Sequence, residues 1–257
     1  MRCFTLAILI PTFNESINIA ALLPAIKKIA DVSKTIQFTI VIIDDSSPDG
    51  TAQTAATLNH QLISDNFRIT VIERQKKEGL GKAYIDGFEK VLGWSQPPHY
   101  ILQMDADLSH DPKYLLTFIE AAQSDADMVV GTRYVKGGAC PDWAWHRKLL
   151  SRGGNWYARA ILGTRITDYT GGFNMYSTSI LQQIVWEDLD RAGYGFLIDL
   201  KYQSLKLSKK LTEIPIIFLE RQHGISKMPL TTIFQNFLLV LRIKFKRQSK
   251  MSTNHLT

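Results

Sequence analysis

Short apolar runs and longer amphipathic stretches alternate along the first half of the chain. Thr5–Ile10, Phe38–Ile43, Arg68–Glu73, Tyr100–Met104 and Asp127–Val130 are brief and mostly apolar, and read as buried strands. Between the first two, Ile19, Leu22, Leu23, Ile26 and Ile29 recur at helical spacing, with Asn14 or Ser16 placed to cap that helix. Pro48-Asp49-Gly50 is a turn, and Thr51 opens the next helix. Gly79-Leu80-Gly81-Lys82-Ala83 opens a third helix, ending near Leu92, and Asp111-Pro112 reads as N-cap and first residue of a fourth. Strand and helix in strict alternation predict an α/β fold, with a mostly parallel central sheet and helices on both faces.

Beyond Gly131 the pattern loosens. Val135–Trp145 is a loop rich in Gly and Trp, followed by a helix from about His146 in which Gly153-Gly154 predicts a kink. Asp168–Phe173 reads as a loop, Phe196–Leu207 as a helix and Leu211–Leu219 as a strand. From Pro229 to Arg247, Leu230, Ile233, Phe234, Phe237, Leu238 and Leu241 recur at helical spacing, and Arg242, Lys244, Lys246, Arg247 and Lys250 cluster at the end. This predicts a C-terminal amphipathic helix lying on a membrane surface or docked on the domain. No apolar run approaches the length of a bilayer span.

The 257 residues suffice for one large α/β domain or two small ones, and a net charge of +6 favours anionic partners. Phosphorylated ligands and a membrane surface fit that charge. No nucleic-acid recognition motif accompanies it, so nucleic acid is not expected as a partner. Cys3 and Cys140 form no metal or redox spacing, and the N-terminus reads directly into a strand without a signal peptide. A reduced, cytoplasmic setting fits these features.

The candidate chemistry lies where strands end. The Tyr100 run stops at Asp105-Ala106-Asp107, and the Phe38 run stops at Asp44-Asp45. In open α/β sheets ligands bind beyond the strands' C-terminal ends. Two acids held close repel unless a proton or cation lies between them. A hard divalent ion, Mg²⁺ or Mn²⁺, bridging Asp105 and Asp107 to a diphosphate resolves that repulsion. Asp44 reads as a turn cap and Asp45 as the ligand contact. His110 and His223 read as polar loop residues. Gly79-Leu80-Gly81 lacks the dinucleotide-binding spacing but suits a helix start near a phosphate.

Taken in order, Pro11-Thr12-Phe13-Asn14-Glu15, Asp44-Asp45-Ser46-Ser47-Pro48-Asp49-Gly50-Thr51, Gly79-Leu80-Gly81, Asp105-Ala106-Asp107-Leu108-Ser109-His110 and Gly131-Thr132-Arg133-Tyr134 resemble the inverting family 2 glycosyltransferases. Arg147-Lys148-Leu149-Leu150-Ser151-Arg152, Thr170-Gly171-Gly172-Phe173 and the Arg221 to Lys227 spacing narrow the resemblance to the polyprenyl-phosphate (dolichol-phosphate) mannosyltransferases. It runs from about Leu6 to Lys227. The resemblance implies a GT-A-type fold and transfer of mannose from GDP-mannose to a polyprenyl phosphate with Mg²⁺ or Mn²⁺, peripherally on the cytoplasmic face of a membrane. It implies that Pro11, Phe13, Glu15, Ile43 and Asp45 line the guanosine side. It assigns the diphosphate and metal to Asp105, Ala106 and Asp107, and phosphate contacts in catalysis to Arg133, Arg221 and Lys227. The implied division is a catalytic domain over 1–227, with a nucleotide-sugar half (1–131) and an acceptor half (132–227), and a basic tail over 228–257. The chain departs from the pattern at Phe13, where Tyr is frequent, at Gly172, where Ser is usual, and at Ser109, where some relatives place Gln. It also lacks the C-terminal membrane spans of many relatives, which leaves room for a membrane-anchoring partner subunit.

A sugar hydroxyl acceptor needs a base, for which Asp168 and Asp199 are the candidates, whereas an ionised lipid phosphate needs only cations to place it. The Arg- and Lys-rich stretch after Gly131 favours the phosphate. The rival readings are a family 2 transferase using another donor such as UDP-glucose, and an inactive nucleotide-sugar-binding adaptor at a membrane.

Overall fold

The computed structural model describes residues 4–190, 193–220 and 238–245. The strands are β1 (Phe4–Thr12), β2 (Ile36–Asp44), β3 (Phe67–Glu73), β4 (Tyr100–Gln103), β5 (Met128–Thr132), β6 (Asn174–Ser177) and β7 (Leu211–Pro215). The helices are α1 (Ser16–Val32), α2 (Thr51–Leu62), α3 (Leu80–Leu92), α4 (Tyr114–Gln123), α5 (Trp145–Leu162), α6 (Thr178–Leu181) and α7 (Gly193–Leu207). The seven strands form one sheet in the order β3-β2-β1-β4-β6-β5-β7.

The strand pattern fixes two cores. Along β1, Leu6, Ile8 and Ile10 face α1 and α4, while Ala7 and Leu9 face α3 and α7. Successive side chains of a strand point to opposite sides, so a run that is apolar at every position must be covered on both. Each apolar layer, Ile19, Leu22 and Ile26 on one side and Tyr84, Phe88 and Phe196 on the other, is fully buried.

The sheet is parallel except at β6, which runs antiparallel to both β4 and β5. The sequence pattern does not announce this strand: Asn174-Met175-Tyr176-Ser177 is four residues long and lies against a loop-like glycine pair. Its direction matters. An antiparallel strand paired Gln103 to Asn174 starts at the edge where β4 ends, so Gly171-Gly172-Phe173 is laid beside Met104 and Asp105.

Several boundaries differ from expectation. Asp111 does not cap α4; its carboxylate accepts from the Lys113 N–H at 2.9 Å in a local turn, and the helix starts at Tyr114. Neither Asn14 nor Ser16 caps α1. The N-cap position is Glu15, and Asn14 takes a left-handed conformation instead. Strand β7 stops at Pro215, which has no N–H to continue a ladder. Helix α5 passes through Gly153-Gly154 without interruption. Arg221, Lys227 and the stretches 229–237 and 246–257 lie outside the described residues, and with them most of the expected tail helix. Residues 238–245 are helical and bury Leu239, Val240 and Ile243 in the α3–α7 core, while Leu238 and Phe245 face outward. Among the described residues no helix is long and apolar enough to cross a membrane.

Candidate active site

The chain order reverses between β1 and β4, which lie side by side and parallel. This is the switch point at which open α/β sheets form a ligand crevice. Three non-glycine residues just past adjacent strand ends, Asn14, Ser46 and Leu108, hold positive φ of 60°, 56° and 63°. Such conformations cost energy and cluster where loops are shaped around ligands.

On the β1–β2 side the loops are zipped together. Asp44 is buried and accepts from Thr12 Oγ1 at 2.9 Å, from the Ser47 N–H at 2.8 Å and from Ser47 Oγ at 2.6 Å, which makes it the cap of this turn. The Glu15 N–H donates to Thr51 Oγ1 at 3.0 Å, and the Ser16 N–H donates to Asp49 at 3.0 Å. Of the residues expected around the base, Phe13 is half-buried with the Lys77 ammonium 3.6 Å from its ring centre. Pro11 and Glu15 are also half-buried at this edge. Ile43 is different: its side chain is fully buried and packs against Gly87 in the core beneath. Asp45 is ion-paired to Arg74, a residue that no motif marks. Buried Arg74 also binds Asp86 at 2.8 Å and Glu78 at 3.1 Å, tying the end of β3 to α3.

The acidic pair sits past β4. Asp107 is buried, and its Oδ1 accepts from the Ser109 N–H at 3.1 Å and from Ser109 Oγ at 2.5 Å. Asp105 is about one-third exposed, and Ala106 between them is buried. The Asp105 N–H donates to His110 Nδ1 at 3.0 Å, which leaves the His110 proton on Nε2. That Nε2 is buried without a hydrogen-bond partner, 3.9 Å from Asp105 Oδ2. Burial pushes the His110 imidazole below its ordinary pKa, against the pull of Asp105 and Asp107. Its ring stacks on Phe173 at 4.8 Å. A Cβ on Gly172 would stand 3.5 Å from the Asp105 carboxylate, so the glycine keeps the space beside that acid open. Two carboxylates with no thiolate suit Mg²⁺ or Mn²⁺. Among the described residues no group of three or more His, Cys, Asp or Glu side chains could hold a metal. Asp105 and Asp107 alone would fill only part of the coordination of such an ion.

The facing side is built on a buried ion pair. Arg133, one residue beyond β5, donates from Nε to Asp168 Oδ2 at 2.7 Å, from Nη2 to Asp168 Oδ1 at 2.8 Å, and from Nη2 to Thr170 Oγ1 at 2.8 Å. Trp143 and Phe218 flank its guanidinium. Asp168 also accepts from the Thr170 and Gly171 N–H groups. Burial alone would raise the Asp168 carboxyl, but Arg133 and then Lys201 outweigh it and hold the group well below the carboxylate range. A carboxylate so committed cannot serve as the base that a hydroxyl acceptor would need. Asp199 is buried on α7 and accepts from the Asp190 N–H at 3.0 Å and from Gln203 at 3.1 Å. From α5, Asn155 accepts the Tyr169 N–H at 2.7 Å and donates to Thr170 Oγ1 at 3.0 Å. Gly131 lets β5 approach the Phe173 carbonyl, which a Cβ would meet at 3.0 Å.

Lys201 is a second residue that no motif marks. It is fully buried, and its ammonium donates to the Asp168 carbonyl at 2.8 Å and the Gly171 carbonyl at 2.6 Å. It thus holds the loop that presents Gly172 to Asp105. Burial pushes its pKa down to about 7, with Asp168 pulling it up and Arg133 pushing it down. Between that value and about 10.4 the unfolded chain binds the extra proton, so this group's contribution to stability rises with pH. Urea midpoints at pH 7 and pH 10 are expected to show wild type gaining more than Lys201→Met over that interval. Equal gains would place the ammonium at its ordinary pKa.

Strand order, switch-point acids and the antiparallel return strand define a GT-A-type nucleotide-sugar fold. The glucosyl-3-phosphoglycerate synthase of Mycobacterium tuberculosis, solved with Mn²⁺, UDP-glucose and phosphoglyceric acid, shares it with a TM-score of 0.65 at 16% identity, over 93% of this chain and 79% of that one. A family model described as Glycosyl transferase family 2 matches residues 7–185, and the chain belongs to that family. It is 37% identical to the polyprenol monophosphomannose synthase of Mycolicibacterium smegmatis, over 86% of this chain and 80% of the relative. It is 36% identical to the undecaprenyl-phosphate mannosyltransferase of Micrococcus luteus, over 89% and 88% respectively.

Proposed function

We propose that the protein moves mannose, with inversion, from GDP-mannose to a polyprenyl phosphate on the cytoplasmic face of a membrane. The observation that carries the acceptor class is the state of Asp168. Asp168, on the loop that leads to Gly172 beside Asp105, is consumed by Arg133, and Asp199 is buried with the Asp190 N–H and Gln203 on its carboxylate, so neither is disposed to deprotonate a hydroxyl, and an ionised phosphate needs no such base. Both relatives' names pair mannose with a polyprenyl phosphate.

In this reading residues 1–131 bind the donor and 132–227 the acceptor. Pro11, Phe13, Glu15 and Asp45 border the base. Asp105 and Asp107 would hold Mg²⁺ or Mn²⁺, which when bound neutralises the departing diphosphate as a Lewis acid. Arg133 keeps the Asp168–Thr170 loop in register. Arg221 and Lys227 are assigned to the phosphates. Leu219, two residues before Arg221, donates its N–H to the Ser109 carbonyl at 3.3 Å, so the chain enters that stretch beside the acidic loop.

The test is a panel of labelled GDP-mannose, UDP-glucose and other nucleotide sugars, each given with polyprenyl phosphate and Mg²⁺. Label is expected in the organic phase from GDP-mannose. Label from UDP-glucose alone would move the donor to the rival reading, and none from any donor would favour the inactive adaptor.

A further inference from the structure

His110 lies against Asp105 but is sealed from solvent, with 1% of its surface exposed. A polar loop residue would point outward; this ring points in. Phe173 stacks on it with 4.8 Å between ring centres and 11° between planes, and Phe118 backs Phe173 at 4.6 Å. Phe218 lies edge-on to it at 5.4 Å, and a Cβ on Gly172 would stand 3.4 Å from its Cε1. An imidazole packed by aromatic rings and backbone in this way has little room to turn.

Each ring nitrogen lies near a different part of Asp105. Nδ1 accepts the Asp105 N–H at 3.0 Å, so in the neutral ring Nε2 carries the proton. Neither nitrogen then offers a lone pair to a metal ion. The Nε2–H has no hydrogen-bond partner among the described residues and stands 3.9 Å from Asp105 Oδ2, beyond hydrogen-bond length. A buried donor without an acceptor is costly to keep. Nε2 is itself enclosed, so a ligand in the crevice cannot reach it. The carboxylate can. Asp105 is about one-third exposed, and Gly172 leaves space beside it. A turn of the Asp105 carboxylate, with the ring left in place, closes the gap.

We propose that His110 is the positioning residue of the acidic pair: it holds the Asp105 backbone through Nδ1 and the Asp105 carboxylate through Nε2–H, and so sets the orientation in which that acid meets a divalent ion. The inference rests on the reading of Asp105 and Asp107 as metal-binding and adds what aims them. Asp107 takes its orientation from the Ser109 N–H and hydroxyl, and Asp105 takes its own from His110. A carboxylate that binds a metal is commonly held from behind by such a hydrogen bond, and losing the partner weakens metal affinity by about 10–100-fold.

The full chain is compared with His110→Phe, which keeps a stacked ring and loses both nitrogens, and with His110→Gln, whose amide can donate from near the Nε2 position. Affinity for Mn²⁺ alone is read by EPR, and thermal midpoints in EDTA report the metal-free fold. In the metal-free protein, NMR follows the His110 Nε2–H proton in wild type and in Asp105→Ala. Wild type is expected to bind Mn²⁺, His110→Phe to bind it about 10–100-fold more weakly, and His110→Gln to recover part of that loss. The Nε2–H signal is expected downfield and protected from exchange in wild type, and shifted upfield in Asp105→Ala. Mn²⁺ affinity of His110→Phe equal to wild type would overturn the proposal, as would an Nε2–H signal that Asp105→Ala leaves in place. So would equal weakening in both His110 variants with matching falls in thermal midpoint, because the ring would then only support the loop. If wild type bound no Mn²⁺ while the Nε2–H signal still moved in Asp105→Ala, the hold on Asp105 would stand and the metal reading would fall.

Discussion

Asp107→Asn is expected to leave the fold intact and lower turnover by roughly 10²–10³, the scale seen when one preorganised electrostatic group is removed from an active site. Asp107 is buried, yet its partners at Oδ1, the Ser109 N–H and hydroxyl, can donate equally well to an amide oxygen. The loop should therefore keep its shape while losing one negative charge. Turnover measured across a Mg²⁺ titration, with the thermal midpoint as control, separates the two effects. The variant is expected to need more metal and to stay slow at saturation. Wild-type turnover at every Mg²⁺ concentration would make the acidic pair structural.

The second large effect falls on stability. Asp168→Asn leaves the Arg133 guanidinium buried without its counter-charge, and removing one partner of a buried pair costs about 3–5 kcal/mol. That is a large part of an ordinary domain's total stability of about 5–15 kcal/mol. The double variant Arg133→Met, Asp168→Asn removes the stranded charge and is expected to recover much of the loss, but not activity, because the loop beside Asp105 loses its anchor. Urea unfolding of both singles and the double measures the coupling. A loss below about 1 kcal/mol in Asp168→Asn would mean that Arg133 finds solvent or another partner, contrary to its burial.

What can be read from the chain divides along physical lines. β1 and β2 are visible because strands covered on both faces must be apolar at nearly every position, and Leu6–Ile10 and Phe38–Ile43 are. β6 is not, because four residues following two glycines carry too little periodicity, and its direction depends on pairing with β4 and β5. The acidic pair and the turn-capping role of Asp44 are legible, since a buried strand that ends in carboxylates leaves few alternatives. Partners remote in sequence are not. Arg74 does stand one residue past β3, at the same edge where the neighbouring strands end in polar residues, and that position is an available signal. Lys201 is the single cation of Phe196–Leu205, but Asp199, Gln203 and Ser204 stand in the same stretch, so the pattern alone does not single it out. Only the fold shows that its partners are carbonyls at Asp168 and Gly171. Arg133 reads from its motif as a phosphate contact, whereas the structure first gives it a bidentate partner 35 residues away. The tail pattern fits either a membrane face or docking on the domain. The described stretch docks by Leu239, Val240 and Ile243, the three residues that widen its apolar face.

The most direct test of the account is the chemistry of the product. Purified protein is given GDP-α-mannose and Mg²⁺ with either a polyprenyl phosphate or the corresponding free polyprenol, and the lipid product is isolated and its anomeric configuration read by NMR. The account predicts a β-mannosyl phosphate formed from the phosphate acceptor, and no product from the alcohol. Mannose joined to the alcohol, or an α-linked product, would contradict it, because the first requires a base that Asp168 cannot be and the second requires retention.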